Sequence, residues 1–394
     1  MTNLKLKSFK SLSLSEFGLW LLIPFASLTS HTWLPIPPTM VLLLGAIVCW
    51  FVLQMQDRHS ERSRGISQNQ GDVSTSLDMT TSRKEVIIVF SVFTLYIFVS
   101  QYLIDAPFRR YMGVVLAPLY LLLMLSFSEH TSTGFLKKLG EKFIRYSLVI
   151  LSVEAILRYA WSFYLISQGE NYEHGFYQFK FGGPMYHASN MVALHLIVLL
   201  FFMLWWGRTQ KKSMKKELTI AFVLLALTLS RAAIPSVFVG LIYYRFFRDL
   251  NWEKALLIFF LFCIVALVSL LVLMDLFFDG SFQSKFLILQ ESLEYYKTAN
   301  LKQILFGIGF YETGYIMTHY AHNYFLLFFM ESGVIGFLLL CTTWFYLIKT
   351  TRGVAIIILL PFFIQANSEG STFMPYFYVA MAFLVLFSNR KLES

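Results

Sequence analysis

Twelve apolar segments, at about 16–34, 38–55, 86–104, 111–127, 146–166, 188–206, 218–230, 232–244, 255–276, 323–347, 353–366 and 371–388, dictate most of what this chain can fold into. A helix crossing a bilayer of ~30 Å needs ~20 apolar residues, because in hydrocarbon each backbone polar group must find its partner within the protein. With 57% hydrophobic and 14% charged residues among 394, the chain has more apolar surface than one soluble core would bury. The expectation is an all-α, polytopic integral membrane protein with about 12 transmembrane helices, forming one transmembrane domain over residues 1–394. The seventh, eighth and eleventh segments are short for a bilayer, which points to a recessed site or to helices that stop inside protein. The N-terminus, MTNLKLKSFKSLSLSEFGLWLL, is basic and then apolar like a signal peptide, but no small-residue cleavage site follows, so it reads as an uncleaved first helix. The 3 cysteines all lie within apolar runs, which argues against a disulfide framework or a metal site.

Charge sets the orientation. With both termini in the cytoplasm, the segments before the first span, at 56–85, 128–145, 207–217, 245–254 and 348–352, and after the last span carry 24 of the 32 lysines and arginines. The excess of positive charge on alternate loops supports the twelve-span reading, and it explains the net charge of +9 without nucleic acid. Residues 56–85 are polar and low in aromatics, as in a flexible cytoplasmic loop. On the outer face lie a loop at 167–187 and a larger one at 277–322, the latter aromatic and partly helical by its pattern. Function is expected on this outer face, where sequence is spent beyond connecting helices.

The outer face also gathers the residues able to carry chemistry. Arg231, in LTLSRAAIPS, stands at the outer end of two short segments, where its planar fork would suit a lipid phosphate or simply snorkel to headgroups. Arg158 lies one turn after Glu154, so it is either that carboxylate's structural partner or a second phosphate-binding cation. The loop FYQFKFGGPMYHASN offers Lys180, Tyr186, His187 and Asn190, and its Gly-Gly-Pro turn would bring backbone amides towards an anion or aromatic rings towards a sugar. In HYAHNYFLLFFMESGVIG, His319 and His322 precede a span that Asn323 would cap. His322 has the chemistry of a general base near neutral pH, or of a structural cap with Asn323; no further ligand stands at a spacing that would make a metal site with His319. Glu312, in FGIGFYETG, is the rival base. Glu331, inside the span, must pair with an arginine or a backbone donor. Gly333 and Gly336 would let that helix approach a neighbour closely. The chain has no phosphate-binding Walker loop, no nucleophile elbow, and no paired acidic motif on the outer face.

Three stretches in order, LTLSRAAIPSVFVGLI, FGIGF and HNYFLLFFMESGVIGFLLL, resemble the O-antigen polymerase and O-antigen ligase superfamily of bacterial membrane glycosyltransferases. The resemblance covers roughly 217–345, and FKFGGPMYHASNMVAL is similar to the Ser-Asn loop-to-helix junction of the polymerases. Where members often carry an arginine in that loop this chain has Lys180, and its two main outer loops hold lysines only. The resemblance implies a GT-C-like fold in the bacterial inner membrane and an active site facing the periplasm. The implied substrate is an oligosaccharide linked through pyrophosphate to undecaprenol. No cofactor is implied, and a chain-length regulator and a flippase are the implied partners besides the bilayer. In the implied reaction Arg231, with Arg158 and Lys180, holds the pyrophosphate, while His322 deprotonates or orients the acceptor hydroxyl. Tyr186, His187, Glu312, His319 and Asn323 are then candidates for contacting acceptor or sugar. The expected function is metal-independent, inverting polymerisation of lipid-linked repeat units; transfer of the glycan to lipid A–core, or transport of the lipid-linked sugar, are the rivals.

Overall fold

The computed structural model describes residues 12–28, 37–63, 74–169, 179–180, 183, 185–186, 188–272, 280–317, 323–368 and 374–388. All its regular elements are helices. They are α1 Leu14–Leu22, α2 Pro38–Ser63, α3 Ser74–Leu103, α4 Phe108–Phe127, α5 Thr133–Ser167, α6 Ser189–Thr209, α7 Lys215–Leu227, α8 Ala233–Phe246, α9 Trp252–Val272, α10 Gly280–Thr298, α11 Leu301–Phe306, α12 Thr313–Ile316, α13 Tyr324–Thr350, α14 Ile356–Ala366 and α15 Pro375–Phe387. A helix occupies each of the twelve apolar segments. Six helices, α2 to α6 and α13, contain runs long and apolar enough to cross a membrane.

Their outward faces suit lipid. On α2, Val41, Leu44, Val48, Phe51 and Met55 form one exposed stripe at helical spacing. A band of this kind invites aggregation in water and costs nothing against acyl chains. The interior is built around α6 and α15. All thirteen residues of α15 are buried, and α15 packs on α4 and α6. At 13 residues α15 covers about 20 Å, shorter than a bilayer's hydrocarbon core. The 11-residue α14 packs on α6 and α8 and is likewise enclosed.

Two loop assignments change. Residues 128–145 are mostly helix rather than loop: after a short 3-10 turn at Ser128–His130, Ser132 caps α5 by accepting from the Phe135 amide at 3.3 Å. Leu136, Leu139, Gly140, Phe143 and Ser147 are buried on one face while Lys137, Lys138 and Lys142 point away. The helix is amphipathic there, so its charges lower the local hydropathy without ending it. Similarly, α2 and α3 extend into the polar stretch 56–85 from either side, and residues 64–73 lie outside the described part. The segment 277–322 carries α10, α11 and α12.

Candidate functional site

The loop that enters α6 is held by one buried ion pair. Glu154 and Arg158, a turn apart on α5, meet at 2.7 Å with side chains 0% and 3% exposed. The Arg158 guanidinium also donates to the carbonyls of Lys180 at 3.0 Å and Tyr186 at 2.6 Å. The second Glu154 oxygen accepts from the Met185 amide at 3.0 Å. Gly183 lies so close that a Cβ would overlap both the guanidinium and the carboxylate, which explains a glycine there. Arg158 therefore clamps the loop and is not the phosphate-binding cation the sequence offered. The Met185 amide, one of the backbone donors offered to an anion, points at the chain's own carboxylate.

Tyr186 is corrected too. It is 2% exposed, and its hydroxyl is hydrogen-bonded to Nδ1 of His195 at 3.0 Å, so it presents nothing to a sugar. His195 was not singled out from sequence. It is fully buried on α6, stacks on Tyr376 with ring centres 3.6 Å apart, and meets Ser27 Oγ through Nε2 at 2.8 Å. Its signal was an ionisable side chain inside an apolar run, which is costly unless partnered.

Outside this clamp, the two other candidate phosphate-binding cations lie at the same end of the bundle. Phe179 stacks on Tyr159 and meets the edge of Phe163, which fixes Lys180 beside α5. Lys180 is half-buried, and its pKa lies below the usual lysine value because of burial first and the nearby Arg231 charge second. Arg231 is exposed in the tight turn between α7 and α8. That turn contains Leu229 at φ 54, a left-handed conformation disfavoured for a leucine.

A short segment at the end of α14, Gln365–Ser368, ties these elements to the start of α13. Gln365 Nε2 donates to Ser230 Oγ at 3.2 Å and to the Asn190 carbonyl at 3.3 Å. Asn190 in turn donates to the Ser368 carbonyl at 3.3 Å. Asn367 accepts from Asn323 Nδ2 at 3.0 Å, while Asn323 Oδ1 takes the amides of Phe325 and Leu326 at 3.1 Å each. Asn323 thus caps α13, with one of its two Nδ2 hydrogens committed to Asn367. Lys180, Asn190, Ser230, Arg231, Asn323 and Gln365 share one end of the bundle. Gln365 is 0% exposed, and its Oε1 has no hydrogen-bond partner among the described residues. His187, His319 and His322 lie outside the described residues.

A second constellation lies along α13, which is two helices joined at Gly333, with φ 69 and ψ −177. The break frees carbonyls that the turn FGIGF and α3 then satisfy. The Ile308 amide donates to Met330 at 3.0 Å and the Gly309 amide to Glu331 at 3.2 Å. Gln101 Nε2 donates to the Glu331 carbonyl at 3.3 Å, and the Tyr96 hydroxyl donates to Ser332 at 2.9 Å. Gln101 Oε1 accepts from the Phe310 amide at 2.8 Å. The Glu331 carboxylate accepts from the Tyr311 amide at 2.9 Å and the Thr313 hydroxyl at 3.0 Å, so its partner is a backbone donor and not an arginine. Irregular backbone at membrane depth persists only where protein or a cavity lines it. Both glycines meet a neighbour closely: Tyr96 is only 3.0 Å from where a Gly336 Cβ would be, and a Gly333 Cβ would overlap the Leu305 carbonyl and the Gly307 amide, where Gly333 also breaks the helix. Glu312 is half-buried and follows Tyr311, which is held at φ 65. Backbone strain therefore sits beside both Arg231 and Glu312.

No protein-family model matches this chain, and no curated protein matches it in sequence.

Proposed function

We propose that this chain is a bacterial inner-membrane glycosyltransferase with twelve spans, a GT-C-like arrangement and both termini in the cytoplasm. It polymerises undecaprenyl-pyrophosphate-linked oligosaccharide repeat units at the periplasmic face. One observation carries the reading. Gln365 ties the start of α6, whose Ser189 amide is bonded to the Lys180 carbonyl, to Ser230 beside Arg231, and Asn323, the residue after His322, is hydrogen-bonded to the same Gln365–Ser368 segment.

The chemistry follows from those charges. As the bond between the anomeric carbon and the pyrophosphate breaks, negative charge grows on the leaving oxygen. Fixed cations in a poorly hydrated site lower that barrier without having to reorganise. Arg231 supplies a bidentate fork and Lys180 a point charge. His322 accepts the proton of the attacking acceptor hydroxyl, and a single displacement inverts the anomeric carbon. The strain at Leu229 fits a turn shaped to present Arg231.

The test is a pair of variants followed by a deletion. Arg231→Ala and His322→Ala should each abolish long polysaccharide while the protein stays in the membrane, and Arg231→Lys should restore only part. Wild-type chain lengths from either alanine variant would remove that residue from the reaction. Deleting the gene should leave lipid A–core carrying one repeat unit; unsubstituted core would identify a ligase instead.

A further inference from the structure

At the opposite end of the bundle a cleft of about 310 Å³ opens where α6 ends, α7 begins and α8 ends. Its walls combine hydrocarbon from Leu204, Met214 and Leu218 with three cations, Arg208, Lys211 and Lys212. The turn that carries the lysines is tightly built. The Lys212 amide donates to the Gly207 carbonyl at 2.8 Å, closing the end of α6, and Lys211 occupies the left-handed position at φ 51. Glycine takes that position without steric cost and lysine does not, so the backbone there gains nothing from the lysine side chain.

The neighbouring charges have surface partners. Lys212 pairs with Glu141 at 2.8 Å and Arg208 with Asp249 at 3.1 Å, and the Asp249 side chain is 71% exposed. Lys211, itself exposed, adds a third positive charge beside those two pairs, and Lys215 and Lys216 stand exposed on the next turn. The rim is thus net positive while the floor is apolar, at the end of a helix long enough to cross a membrane.

We propose that this cleft binds the headgroup of an anionic phospholipid. The phosphodiester rests against Arg208, Lys211 and Lys212, and the glycerol and first acyl carbons lie over Leu204, Met214 and Leu218. A soluble phosphate would use the cations but gains nothing from the hydrocarbon floor; a zwitterionic lipid would use the floor but brings no net charge. The inference uses the placement of this end in the cytoplasmic leaflet, where anionic lipid attracts basic segments, and is independent of the glycosyl-transfer reading.

Native mass spectrometry of the full-length chain in detergent, titrated with phosphatidylglycerol or phosphatidylcholine, tests it. Phosphatidylglycerol should bind at least about tenfold more tightly, and losing one cation should weaken it roughly fivefold. Lys211→Gly is the decisive variant, because glycine suits the left-handed position: thermal stability should hold or rise while phosphatidylglycerol binding falls. The charge-matched control Lys297→Ala, on α10, should bind as the wild type does. Equal binding of the two lipids, unchanged binding by Lys211→Gly, or displacement of the lipid by millimolar inorganic phosphate would each overturn the proposal.

Discussion

Removing the Arg158 side chain should release the loop between α5 and α6 without unfolding the bundle. Three charge-assisted hydrogen bonds, at 2.7, 3.0 and 2.6 Å, run from Arg158 to Glu154, Lys180 and Tyr186. Breaking one partner of a buried pair costs about 3–5 kcal/mol, since the other charge stays behind unpaired. The loop lies at a helix end and can swing outward, so the lower value, about 3 kcal/mol, is the better guide. That corresponds to about a hundredfold shift in the open population, at 1.4 kcal/mol per factor of ten. The assay is hydrogen exchange by mass spectrometry on Arg158→Ala in detergent, following the amides of Met185 and Ser189. The first is bonded to Glu154 at 3.0 Å and the second to the Lys180 carbonyl at 2.8 Å. Both should exchange about a hundredfold faster, with the helical circular-dichroism signal unchanged. The paired replacement Glu154→Leu with Arg158→Met should recover part of the protection at Ser189, because no lone charge is left buried, while the Met185 amide, having lost its Glu154 acceptor, stays fast. Exchange within about threefold of wild type in Arg158→Ala would refute the clamp.

Two further perturbations address other parts of the molecule. Gly333→Ala places a Cβ against the Leu305 carbonyl and the Gly307 amide, in a backbone conformation that is essentially glycine's own. It should lower the thermal midpoint and the yield of folded protein sharply; a midpoint equal to wild type would mean that α13 is not broken there. Lys180 has a lowered pKa, so its charge is present below that value and is lost earlier than an ordinary lysine's as pH rises. If that charge holds the pyrophosphate, kcat/KM should fall on the alkaline side and Lys180→Arg should move the fall to higher pH; an alkaline limb that stays in place would exclude Lys180.

The places of the helices were legible because a run of apolar residues is a local property. The start of α5 was not read correctly, although Leu136, Leu139 and Phe143 already stood at helical spacing; the lysines between them masked it. The pairing of Glu154 with Arg158 was legible from one-turn spacing, but the loop carbonyls that saturate Arg158 were not. Nothing local in Gln365–Ser368 marks it as the link between Asn190, Ser230 and Asn323, since its residues are uncharged and closely flanked by apolar helices. Gly333 and Gly336 look alike in sequence, and only the backbone angles show that Gly333, besides approaching a neighbour closely, breaks the helix. His195 was legible as a buried ionisable group, and its partners Ser27 and Tyr186 come from distant parts of the chain.

The central claim is that this chain joins lipid-linked sugars, and purified protein supplied with a single undecaprenyl-pyrophosphate-linked repeat unit tests it most directly. The expected product is a ladder of lipid-linked oligomers, formed by the wild type and absent with Arg231→Ala. Unextended repeat units in the presence of folded wild-type protein, whether handed to lipid A–core or merely carried across a vesicle membrane, would contradict it.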